Sequence, residues 1–214
     1  MDAPKQYLGT NRLEALVDGT FAIAMTILIF DLKVPEIAHE ATQTQLVPAL
    51  LKLLPNFIVY IVSFIMLGVY WIGQHNTSKF IQRTDRTFLW LSIGFLATVV
   101  LIPFSTALLA HYGNDQAVEI IYGANLLLIG MLSYIQWEYA NWNHRLVDHA
   151  IPRRIVQAVR WRIAMAPLIC IVAILASFVS TGISLWAYML IPMYYIMPSE
   201  VDEYWKPSAE RHED

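Results

Sequence analysis

An all-α membrane protein with six transmembrane helices is the fold class that three features of the sequence predict. The 214 residues are 57% hydrophobic and 14% charged, with a mean hydropathy of +0.48; a soluble domain is about half apolar and a quarter charged. The apolar residues fall into long runs, and a bilayer core about 30 Å thick takes roughly 20 helical residues to cross. The basic residues collect in alternate connections. Backbone polar groups within lipid must be satisfied inside each segment, so the runs are helices and not strands.

The first run covers about Leu13 to Val34 and stops at Pro35. It ends in DLKVPE, which is no small-residue cleavage site, so the run is expected to be a permanent helix and not a leader. The second covers about 47 to 73, where Pro55 either kinks the helix or marks its true start. The third and fourth cover about 88 to 110 and 117 to 142. The fifth and sixth, 161 to 180 and 183 to 198, are joined by Ser-Thr-Gly in a tight hairpin. Residues 1–198 thus form one transmembrane domain, and 199–214 a polar, acidic tail.

Lys5 and Arg12 precede the first run, Lys79, Arg83 and Arg86 separate the second from the third, and Arg145 to Arg162 surround the fourth-to-fifth connection. The intervening loops carry Lys33 beside Asp31, Glu36, Glu40 and Asp115. By the positive-inside bias both termini are cytoplasmic, in a multi-pass protein of the cell membrane. The arginines are thereby accounted for by topology, without nucleic acid as a partner. Trp71, Trp90, Trp137, Trp142, Trp161 and Trp186 flank the runs as an aromatic belt. A lone Cys170 excludes an intrachain disulfide.

Candidate functional residues concentrate in the first run. Asp18 lies about one turn into it, where a carboxylate needs a partner; Arg12, Gln74 and His75 are the candidates. Asp18 is either a clasp tying helices together at the membrane face, which is the simpler reading, or a proton or ion site. Spacings of three and four align Leu16, Gly19, Ile23, Thr26, Ile27 and Phe30 on one stripe, flanked by Ala22 and Ala24. Spacing alone fits a buried packing face better than a pore lining. Around an axis, the same stripe would make apolar rings that gate by dewetting, with Thr26 hydroxyls beside the ion. Glu138, His144, Asp148 and His149 lack the HExxH spacing of a zinc site, and GxSxG, Walker A, GxGxxG and CxxC motifs are absent. The chain is not expected to be an enzyme or to carry a resident metal or cofactor.

Three stretches resemble the transmembrane protein 175 family of potassium channels, in its short prokaryotic members. RLEALVDGTFAIAMTILIFDLKVP (12–35) is similar to the family's first helix, whose hallmark is Arg, three residues, Phe-Ser-Asp and an apolar run ending in D-L-x-V-P. FIVYIVSFIMLGVYWIGQHN (57–76) resembles its second helix, and RTDRTFLWLSIGFLATVVLIPFSTALL (83–109) carries its D-R-x-x-L-W and P-F-x-T-A-L patterns. Leu16-Val17 stands where the family has Phe-Ser, and Gln74-His75 where many members have a His pair. The resemblance implies a homotetramer of six-helix chains in the lipid bilayer, with first helices lining a pore for monovalent cations. It places Ile23 at the main constriction, Ile27 and Phe30 as further rings, and Thr26 as the nearby hydroxyl. It assigns Arg12, Asp18, Trp71 and His75 to a cytoplasmic-side network, and implies modest selectivity for potassium over sodium. The rival readings are a proton- or cation-coupled secondary transporter using Asp18, and an enzyme or scaffold using the arginines to hold lipid headgroups.

Overall fold

The computed structural model describes residues 9–37, 42–113, 115–148, 151–198 and 201; most of the expected acidic tail lies outside them. The described chain is all α-helical: α1 (Asn11–Ile27), α2 (Thr42–Lys52), α3 (Leu54–Ser78), α4 (Arg86–Val100), α5 (Ile102–Tyr112), α6 (Gln116–Asn141), α7 (Arg153–Ser177), α8 (Thr181–Tyr188) and α9 (Leu190–Ile196). Five stretches are long and apolar enough to cross a membrane: Asn11–Asp31, Leu54–Ser78, Arg86–Tyr112, Gln116–His144 and Arg153–Ser177. This is a multi-pass membrane protein.

Prolines account for most departures from uninterrupted runs. The expected second segment divides: Pro55 sits in the first turn of α3, where its missing N–H costs nothing, and the residues before it form a separate helix, α2. The third segment breaks at Leu101, because Pro103 cannot supply the N–H that a continuous ladder needs there; Pro103 opens α5 instead. The sixth is helical but broken between Tyr188 and Leu190, just ahead of Pro192. Its two pieces are each too short to span a bilayer alone. The fifth begins at Arg153, eight residues before the expected start of 161. Its basic first turns belong to the helix, burying Ile155 and Val159 while the arginine stems spread outward.

Helix α6 is central, packing on α4, α5 and α7, while α1 packs on α3 and α4. Gly130 allows the close α6–α7 approach, because a Cβ there would meet Pro167 Cδ and Cγ at 2.8 Å. One apolar cluster runs through the membrane part and includes Phe21, Leu28, Phe95, Leu126 and Ile129. A second cluster fills the end of the bundle where α4 and α7 begin, around Phe80, Phe88, Trp137, Leu146 and Val159. Trp137 therefore leaves the expected aromatic belt. It is fully buried, edge-on to Phe80 with centroids 5.8 Å apart, and its Nε1–H points to the Val156 carbonyl at 3.4 Å.

The α3–α4 and α6–α7 connections pair with each other, Gln82 N–H donating to the Leu146 carbonyl at 3.0 Å. Asn143 and His144 both take left-handed backbone (φ 52°) to turn the chain out of α6, a conformation in which Asn and His are enriched.

Candidate functional site

Helix α1 has two apolar faces. Val17, Phe21, Ala24 and Leu28 point into the protomer and are at most 7% exposed. The opposite face leaves Ile23 61%, Ile27 41% and Phe30 75% exposed, with Leu16, Gly19 and Thr26 exposed alongside. Spacing alone fitted a buried packing face, and within the protomer the stripe is not one: Phe21 and Leu28 fill that role. Three large apolar side chains on one helix face are left exposed by the described residues, which marks the face as a site of interaction.

After Ile27 the helix tightens into a 3₁₀ turn, Leu28–Asp31. Three residues per turn place Phe30 directly above Ile27, which keeps both on the exposed face. The Thr26 hydroxyl donates to the Ile23 carbonyl at 2.8 Å. Its proton is thus committed to the helix, and the oxygen lone pairs remain for an incoming donor or cation. Thr20 makes the same bond to Leu16 at 2.8 Å.

Near the start of α1, Asp18 finds a partner that its sequence neighbours did not suggest but that the family resemblance placed in the same network. Trp71 Nε1–H on α3 donates to Asp18 Oδ1 at 2.8 Å, and the indole stacks on the His75 ring (5.6 Å, 22°). Arg12 is exposed, and Gln74 turns instead to Gln136 Oε1 at 3.0 Å, whose amide donates to the Leu91 carbonyl at 3.2 Å. The structure thus brings together Asp18, Trp71 and His75 and leaves Arg12 outside the contact. A cavity of about 130 Å³ lies behind them among α1, α3, α4 and α6, lined in part by Glu14, Asp18, Gln74, His75 and Gln136.

Sequence reasoning missed the strongest polar centre, Asp85. Its Oδ1 caps α4 by accepting the Phe88 N–H at 2.9 Å; its Oδ2 accepts the Tyr139 hydroxyl at 2.8 Å and Arg145 Nε at 3.0 Å. Arg145 also lies over the Tyr139 ring at 4.7 Å, and Arg83 Nε donates to the Arg145 carbonyl at 3.0 Å. Burial pushes the Asp85 carboxyl up, but the Phe88 N–H, the Tyr139 hydroxyl and the Arg145 charge outweigh it and hold it below the usual range. Arg160 Nη2 pairs with Glu138 at 2.9 Å. Arginines expected to mark topology also lace the α3–α4 and α6–α7 connections together. The signal was available in T-D-R-T-F, an Asp immediately ahead of a helix.

Residues 12–103 match the family described as endosomal/lysosomal potassium channel TMEM175. The chain is similar to a Chamaesiphon minutus protein named a potassium channel, 32% identical over 203 residues that span 93% of this chain and 98% of that one. A Streptomyces collinus protein, also named a potassium channel, is 31% identical over 190 residues, 87% and 91% of the two chains. The fold matches the crystal structure of a lysosomal potassium-selective channel TMEM175 homolog from Chamaesiphon minutus with a TM-score of 0.76 at 30% identity, over 87% of this chain and 95% of that one. With likeness of this extent, on top of the first-helix and D-R-x-x-L-W patterns, the chain belongs to the TMEM175 family of ion channels.

Proposed function

We propose that the chain is the subunit of a potassium-permeable cation channel, a homotetramer whose conduit is lined by the outward face of α1. The observation that carries this reading is the two-faced first helix: one apolar stripe is filled by the protomer, the other stands open and is supplied by Ile23, Ile27 and Phe30. The names of the Chamaesiphon and Streptomyces relatives support potassium as the cargo. In this assembly Ile23 forms the main hydrophobic constriction and Ile27 and Phe30 ring the path beyond it. The Thr26 lone pairs offer a weak, uncharged ligand to a partly dehydrated ion, which fits modest selectivity for potassium over sodium. Asp18, Trp71 and His75 hold the inner end of α1 against α3. Each subunit crosses the cell membrane six times, α8 and α9 together making the last crossing, with both termini cytoplasmic. Potassium is the cargo, and the reading needs no resident cofactor.

Purified protein in liposomes should pass potassium at rates far above carrier turnover, with a tetrameric mass. Ile23→Asn places an amide at the constriction, wets it and should raise the flux severalfold. Unchanged flux in that variant, or carrier-like saturation, would count against the reading. Asp18 as the coupling group of a transporter draws no support from its setting, since it is exposed and already engaged by the Trp71 N–H.

A further inference from the structure

Away from the α1 stripe, the protomer encloses a second polar cluster that the channel reading leaves unused. Glu119, in the first turn of α6, is fully buried, and neither carboxyl oxygen has a hydrogen-bond partner among the described residues. Ser184 on α8 is also fully buried with its Oγ unsatisfied, and it is the polar side chain that faces the carboxyl. Buried polar atoms are almost always paired, so an unpartnered carboxyl beside an unpartnered hydroxyl needs a ligand to explain it.

The charge balance identifies that ligand. No lysine, arginine or histidine among the described residues bears on the carboxyl; its titratable neighbours are Tyr188 on α8 and, one turn along α6, Tyr122. The Tyr188 hydroxyl is spent on the Glu119 backbone carbonyl at 3.3 Å, and the Tyr122 hydroxyl on Ser63 Oγ at 3.1 Å. The N–H groups that open α6 give no help. Asp115 Oδ1 takes that of Ala117, and the Asp115 carbonyl takes those of Val118 and Glu119. An ionised carboxylate would then sit in an apolar interior with no compensating charge, which is among the costliest arrangements a membrane protein can hold. A carboxylic acid needs only an acceptor for its O–H, and a serine hydroxyl oxygen provides one.

We propose that Glu119 is a proton-binding site inside each protomer, separate from the α1 face, holding a neutral carboxyl whose O–H is donated to Ser184 Oγ. The proton is what lets α8 seat on α6. Gly123 leaves room for the Tyr188 ring there, which packs edge-on to Tyr122 at 5.5 Å. Loss of the proton would strand a charge under α8 and loosen the α7–α8 hairpin. The site does not depend on which ion the assembly passes.

Infrared spectroscopy of the full-length protein in lipid at neutral pH tests this. The difference spectrum between wild type and Glu119→Gln should contain the carbonyl stretch of one protonated carboxyl, present only in wild type. Incorporating glutamate labelled with a heavy carboxyl carbon should shift that band in wild-type protein, a measurement that requires no variant to fold. A protonated-carboxyl region unaffected by the labelled glutamate would overturn the proposal, as would a folded Glu119→Gln protein whose spectrum there matches wild type.

Discussion

The belt around Asp85 and the open face of α1 are built on opposite principles. Around Asp85 nearly every polar group is spoken for: one carboxylate takes an N–H, a phenol and a guanidinium, and the arginine that answers it also covers an aromatic ring. Along Ile23, Ile27 and Phe30 the protomer supplies no partner, and even the Thr26 hydroxyl bonds only to its own helix. The first region locks several elements into one body, because charges taken partly out of water must be fully answered. The second is left incomplete within the single chain, as a surface meant to be completed by other copies would be. The belt is closed within the chain, whereas the α1 face is left exposed by the described residues.

The largest effect should come from breaking the belt. Asp85→Ala removes the α4 cap and strands Tyr139 and Arg145 together; the cap is worth about 1 kcal/mol and each lost hydrogen bond about the same, so a loss of roughly 2–3 kcal/mol is expected. Because the folded carboxyl is held below its ordinary value, its contribution is fully present above the unfolded value of 3.8. It disappears as the pH falls through the folded value. Wild type should therefore lose stability on acidification below about pH 4, and the variant should lack that part of the slope. Denaturant midpoints of both proteins across this range measure it. Equal midpoints at neutral pH would show that the belt contributes nothing.

A somewhat smaller effect should come from prying α6 from α7. Gly130→Ala drives a methyl onto a proline ring, which cannot swing aside as a flexible side chain would, so the helices must part. Overpacking of this kind costs about 1–3 kcal/mol. The thermal midpoint should fall, whereas Gly94→Ala on α4, where a Cβ meets nothing within 4 Å, should leave it unchanged or slightly raised.

The sequence displayed the periodic apolar helices well and concealed what distinguishes their faces. α6 lies within a few residues of the expected run, because Asp115 punctuates it, whereas α1 ends at Ile27 and its 3₁₀ turn at Asp31, short of the Pro35 expected to stop it. α2 was hidden by its mixed Thr and Gln content, and the start of α7 by its arginines, which read as loop although Ile155 and Val159 keep helical spacing. The α1 stripe could be read but not placed, since a core face and a conduit face share one period and differ only in what covers them. Asp18 and Trp71 are 53 residues apart. No local pattern marks such a pair: spacing offered Arg12, Gln74 and His75 as partners, and only the family resemblance put Trp71 in the same network as Asp18.

That pair lies between the two regions and should give the smallest effect. Trp71→Phe removes the N–H that Asp18 accepts but keeps a ring to stack on His75. Both partners are exposed, with Trp71 at 37%, so water replaces the lost donor and the stability change should stay near 1 kcal/mol. A double-mutant cycle with Asp18→Asn isolates the coupling, which is expected to be positive and below that figure. If α1 lines the proposed conduit, the same variant should alter potassium flux more than stability. A variant as destabilised as Asp85→Ala would instead make Asp18 part of the belt, which would then extend onto α1.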